Sequence, residues 1–174
     1  MNYGEIKKND IANGEGVRTS LFVSGCRHHC KGCFNAETWD FGFGEAFTEE
    51  TMLDILKSCE PYWINGLSLL GGEPFEPENQ KVLLPFLIMF KEKYPNKDVW
   101  CYSGFTIEEI MGDIPSRAHT EISKEMLSLI DILVDGEYEE ELADITLKFR
   151  GSKNQRVIDV KKTLSENKIV LHLK

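Results

Sequence analysis

An α/β fold with a mainly parallel sheet is the architecture this sequence predicts, and three observations carry it. Short apolar runs alternate with helical stretches along the chain instead of gathering in separate blocks, the pattern of repeated strand–helix units. The conspicuous short motifs each follow one of these apolar runs, and in such sheets ligands gather where the loops after the strands converge. The chain has 174 residues, 41% of them hydrophobic and 28% charged, which fits one soluble globular domain spanning 1–174.

Arg18 to Ser24, centred on Leu21, Phe22 and Val23, reads as a first buried strand. Thr48 is placed to cap a helix that runs from Glu49 to about Ser58. Gly66 to Leu70 gives the second strand. Pro77, whose missing amide is no loss in a first helical turn, starts an amphipathic helix through Lys93, and Tyr94-Pro95-Asn96 ends it. Asp98 to Ser103 is a third strand, Thr106 to Met111 a short helix, Ser123 to Leu129 another, and Asp131 to Val134 a fourth strand. Beyond Phe149 the pattern weakens to a polar turn and two apolar pieces, Val157 to Val160 and Ile169 to Leu173. There is no internal repeat, linker or low-complexity segment.

Twenty basic against twenty-nine acidic residues give a net charge of −9 with no basic run, which argues against a nucleic-acid partner. The longest apolar run, around Val82 to Phe90, is interrupted by Pro85 and falls short of a membrane span. Five cysteines, an odd number, with no leader at the start, argue against a disulfide framework and for a cytoplasmic protein.

Three of those cysteines, Cys26, Cys30 and Cys33, follow the first strand with gaps of three and two residues. A 4Fe-4S cluster ordinarily takes four thiolates, so three with no fourth nearby leave one iron open to another ligand. A Cys3His zinc site using His28 or His29 is the competing reading, although wrapping either imidazole back onto a metal held by both neighbouring cysteines strains the loop. Gly71-Gly72-Glu73-Pro74 follows the second strand; as residues it is a turn with two side-chain-free positions, where backbone can come close to a ligand. Asp135-Gly136 ends the fourth strand, Phe34 follows Cys33, and Cys59 and Cys101 read as packing residues. His119 and His172 carry no role.

The cysteine spacing and the Gly71-Gly72-Glu73 turn together resemble the radical S-adenosylmethionine superfamily. Asn13-Gly14-Glu15-Gly16-Val17-Arg18 before the first strand is similar to a segment of the activating enzymes for glycyl-radical proteins, with Glu15 where those relatives usually hold proline. The stretches 34–41 and 149–157 narrow the resemblance to activators of anaerobic ribonucleotide reductase. The resemblance implies a partial, open (β/α) barrel, and 174 residues are indeed too few for a full barrel of about 250. It also implies that Cys26, Cys30 and Cys33 hold a 4Fe-4S cluster whose fourth iron is open to S-adenosylmethionine. Gly32, Cys33, Phe34, Gly71, Gly72, Glu73 and Asp135 are the implied cofactor-binding residues, and no catalytic residue is expected beyond the cluster. The implied partners are an anaerobic ribonucleoside-triphosphate reductase as protein substrate and a flavodoxin-like or ferredoxin-like electron donor. A different glycyl-radical enzyme such as pyruvate formate-lyase, a small-molecule radical reaction, or a zinc-binding adaptor are the alternatives.

Overall fold

The computed structural model describes all residues, Met1 to Lys174. Its frame is one open sheet of eight strands in the order β3-β1-β2-β4-β5-β6-β7-β8. The strands are β1 (Asn2–Asp10), β2 (Val17–Val23), β3 (Glu45–Ala46), β4 (Ile64–Gly71), β5 (Asp98–Tyr102), β6 (Ile132–Asp135), β7 (Arg156–Asp159) and β8 (Leu171–Leu173). The helices are α1 (Glu49–Ser58), α2 (Pro77–Lys93), α3 (Ile107–Met111), α4 (Ser123–Ser128) and α5 (Val160–Glu166).

The four strands expected from sequence, β2, β4, β5 and β6, lie side by side and pair in parallel. The expectation of a mainly parallel sheet is corrected at the flanks. β1 pairs antiparallel with both β2 and β3, and β7 pairs antiparallel with both β6 and β8, so the sheet is mixed, with four antiparallel and three parallel pairings. β1 is joined to β2 by only residues 11–16, too short for the crossover that a parallel neighbour requires. β1 escaped the sequence reading because Asn2–Asp10 is mostly polar and leaves most of its side chains in contact with water.

Local signals set the helix starts. Thr48 caps α1 reciprocally with Thr51, and Thr106 caps α3 with Glu109. Pro77 stands in the first turn of α2, and Pro85 is accommodated inside it. One face of the sheet, with Leu21, Val23, Leu67, Leu69, Val99, Cys101 and Leu133, packs against Leu83, Phe86, Leu87 and Phe90 of α2. Each fully buried side chain of this size contributes about 1.5–3 kcal/mol. The other face carries a smaller cluster of Trp100, Ile132, Val134 and Val157. Cys59 and Cys101 are fully buried in the main core, as packing residues.

At the amino-terminal end of β6, Asp131 accepts from Lys91 Nζ and from the Val99 amide at 2.8 Å, and pairs with Lys161 at 2.6 Å. Burial alone would raise its pKa, but these donors outweigh it and hold the carboxyl below the usual aspartate range. The resulting stability is fully present above the unfolded pKa, about 3.9, and is lost as pH falls through the lowered folded value. Asp131→Asn is therefore expected to cost about 2 kcal/mol at neutral pH. Thermal melts followed by circular dichroism should show that difference closing progressively below about pH 4.

Candidate functional site

The loops after the four parallel strands meet at one end of the sheet, around a cavity of about 900 Å³. Its wall includes Cys26, Cys30 and Cys33 from the loop after β2, Gly71 at the end of β4 with Gly72 and Glu73 after it, Ser103 and Gly104 after β5, and Gly136 after β6. Cys26 is buried, while Cys30 and Cys33 are partly exposed. The stretches 34–41 and 149–157 also converge here, through Phe34, Asn35, Trp39, Phe149, Arg150, Gly151 and Gln155.

The cysteine loop is held by backbone more than by its own side chains. Gly25 N–H donates to the Thr38 carbonyl at 2.7 Å, Cys26 N–H to the Trp39 carbonyl, and Glu73 N–H back to the Gly25 carbonyl at 2.8 Å. Gly72 sits at this crossing: a Cβ there would lie 2.7 Å from the Gly25 oxygen and 2.9 Å from the Thr38 oxygen. Both are backbone atoms and cannot swing aside. Gly72→Ala is thus expected to cost about 1–3 kcal/mol, and to lower the iron retained after reconstitution, measured by iron analysis beside a thermal melt. Gly71 adopts φ +101°, a conformation that side chains oppose.

Glu73 is buried and its carboxylate is saturated. One oxygen accepts from the Phe75 amide and the Ser103 hydroxyl, the other from the Gly104 amide and His28 Nε2. Glu73 thereby locks three strand-end loops together. His28 spans the mouth, with its Nδ1 2.7 Å from Glu137 and its ring edge-on to Phe105. Burial opposes charge on this imidazole, but carboxylates at both nitrogens outweigh it and raise its pKa.

The donor set fits an iron–sulfur cluster. Burial, reinforced by Glu73, pushes the Cys26 thiol up to about 12, and burial with Glu137 raises Cys30. Cys33 Sγ already accepts a weak hydrogen bond from the Asn35 amide. A cubane spreads its thiolates over separate irons, whereas a Cys3His zinc site needs four donors on one ion. Both nitrogens of His28 are engaged by carboxylates, and His29 stacks on Trp39 at 4.4 Å.

The remaining sequence-derived residues divide. Phe34 lines the cavity, 80% exposed, against Tyr138. Gly32 turns the loop at φ +75° beside Glu140, off the cavity wall. Asp135 is turned into the fold: Arg156 holds both its oxygens and the Ile107 amide donates to one, so it supports α3 and β7 rather than facing the cavity. His172 pairs with Glu15 at 3.1 Å, and His119 meets the Ile110 carbonyl. Sequence reasoning missed Asn79, whose buried amide donates to the Ser24 and Glu73 carbonyls and so ties the cysteine loop to the glycine turn. A polar residue in the first turn of a helix gives no hint of such a role.

Residues 12–158 match the family described as a 4Fe-4S single cluster domain. The chain is 42% identical over 157 residues to the anaerobic ribonucleoside-triphosphate reductase-activating protein of Pasteurella multocida, covering 89% of this chain and 95% of that one. The chain belongs to the anaerobic ribonucleoside-triphosphate reductase-activating protein family. The protein of that name from Haemophilus influenzae is 41% identical, covering 89% of this chain and 96% of its own. That from Escherichia coli K12 is 36% identical over 159 residues, covering 90% and 97%. The match thus takes in both the cysteine loop and the stretch 149–157, which the fold brings to the same cavity. No helix is long and apolar enough to cross a membrane.

Proposed function

We propose that residues 1–174 act as one radical S-adenosylmethionine domain that sets a glycyl radical on the anaerobic ribonucleoside-triphosphate reductase. The observation that carries the reading is the meeting, in one cavity, of three thiols from a short loop with the Gly71-Gly72-Glu73 turn. The relatives' shared name supplies the partner. In this reading Cys26, Cys30 and Cys33 ligate three irons of a 4Fe-4S cluster, and S-adenosylmethionine takes the fourth. When bound, the cluster would supply one-electron reduction of S-adenosylmethionine, the chemistry that sets a radical on a glycine of the reductase.

The protein's part is binding, orientation and exclusion of water. Gly71 and Gly72 bring backbone to the ligand's amino group, while Glu73, already committed to four donors, fixes the turn that presents them. Cys33 and Phe34 wall the adenosyl side. The sheet's parallel centre with its antiparallel flanks serves as an incomplete barrel, open on the side the reductase closes. A flavodoxin-like or ferredoxin-like protein delivers the electron, in the cytoplasm.

The test is electron paramagnetic resonance on anaerobically reconstituted, dithionite-reduced protein, with and without S-adenosylmethionine. A reduced 4Fe-4S signal that changes on adding S-adenosylmethionine is the expected result, followed by a glycyl signal on the reductase and none on pyruvate formate-lyase. Colourless protein with one tightly bound zinc overturns the reading.

A further inference from the structure

Glu76 occupies the N-cap of α2, where an acid ordinarily accepts from an amide of its own helix, yet its side chain makes no such cap. Its fully buried carboxylate turns instead to the cysteine loop and to the segment before α4. It accepts from the Arg27 amide at 2.9 Å, from Arg27 Nη1 at 2.7 Å, and from Arg117 Nε and Nη2 at 3.1 and 3.0 Å. The Arg27 amide belongs to the peptide unit that leaves Cys26, so the contact fixes the backbone beside that sulfur. Both guanidinium groups spread outward, Arg27 over Phe41 and toward Glu78, Arg117 over Phe105, with 46% and 40% of their side chains exposed. The guanidinium ends reach water while the carboxylate lies wholly inside the protein, so the positive charge is shared with solvent and the negative end stays fixed within the fold.

A buried ion pair is a poor device for stability alone, because apolar residues of the same volume commonly do as well. Its placement beside Cys26 gives it another use. Each electron added to a cluster adds negative charge, and a fixed, buried carboxylate nearby opposes that addition. We propose that Glu76 is a positioning residue for the cluster, fixing the peptide after Cys26 and keeping a negative charge beside that sulfur so that the cluster's reduction potential stays low. The inference rests on the three-cysteine cluster proposed above.

The experiment is a redox titration of the full-length, reconstituted protein without S-adenosylmethionine, followed by electron paramagnetic resonance, with iron, sulfide and a thermal melt measured on the same samples. Glu76→Gln keeps the shape and an acceptor for the Arg27 amide while removing the charge, and its midpoint potential is expected to move up. Arg117→Gln removes positive charge from the other side of the same carboxylate, and its midpoint is expected to move down. Unchanged midpoints in both variants at normal iron content overturn the inference, and so do shifts of the same sign, which mark a structural disturbance. Should Glu76→Gln fail to hold a cluster, the Arg117→Gln protein decides alone, and no downward shift there overturns it. Wild-type protein that takes up no 4Fe-4S cluster fails the reading of the preceding subsection and this inference with it. A normal wild-type cluster that neither variant shifts fails this inference only.

Discussion

Exchange of Cys26 for alanine will leave the chain folded and unable to keep a 4Fe-4S cluster. The two halves of this expectation come from different contacts. The backbone at Cys26 is fixed by its own amide on the Trp39 carbonyl and by the Arg27 amide on Glu76, neither of which needs the sulfur. Removing one buried sulfur leaves a small void, and alanine is expected to cost about 1 kcal/mol, or a fall in melting temperature of about 2–4 °C. In the proposed reading the cluster, by contrast, loses one of its three protein ligands, and the two other cysteines of the chain cannot substitute. Cys59 and Cys101 are fully buried in the main core and stand outside the cavity wall. Iron and sulfide analysis after anaerobic reconstitution, with the absorbance of the cluster, should fall to background while the circular dichroism spectrum stays that of wild type. Cys59→Ala is the control that keeps its iron. Retention of a full 4Fe-4S cluster by the Cys26 variant would show that the ligands lie elsewhere.

Those parts of the fold whose signals are local were legible before any coordinates. The four parallel strands carry short apolar runs, are buried along most of their length and lie among helices, and Thr48, Pro77 and Thr106 mark helix starts through chemistry confined to a few residues. Of the flanking strands, β1 was not legible, because it is polar and gets its order from pairing, and β7 and β8, three or four residues long, showed only as the apolar pieces 157–160 and 169–173. The cysteines and the glycine turn could be named from spacing. The contacts that hold them could not: His28 bridging Glu73 and Glu137, Asn79 reaching the Ser24 carbonyl and Glu76 taking two arginines are all side-chain meetings across forty or more residues. Asp135 could be named from its place at a strand end, but its pairing with Arg156 could not.

The largest loss of stability is expected from Arg18, the one arginine that is fully buried. Its Nε donates to the Ser68 hydroxyl at 2.7 Å, Nη1 to the Glu15 carbonyl at 3.0 Å and Nη2 to the Leu67 carbonyl at 2.9 Å, with Nη2 also 2.5 Å from Asp98. The guanidinium lies over Trp100 at 5.6 Å. Arg18→Ala leaves these acceptors unmet and a void against the indole, which together should cost about 3–5 kcal/mol. For a chain of this length that lowers the melting temperature by about 10 °C. Arg18→Lys keeps the charge but not the fork, and is expected to recover less than half of the loss. The consequence reaches the cavity through residues 12–16. Ala12 and Asn13 line its floor, the Asn13 carbonyl is held by Ser68, and the Glu15 carbonyl by Arg18 itself. Gly14 can lie there only because it has no side chain, since a Cβ would meet Arg18 at 2.8 Å. The arginine that holds the sheet's second face together therefore also seats the segment that closes the floor. Limited proteolysis at low temperature, where the variant is still folded, should cut between Ile11 and Val17 faster than in wild type. Equal cleavage rates would mean that Ser68 and the Asp10 carboxylate, which accepts from the Ala12 amide and from Asn13, hold the segment without the arginine.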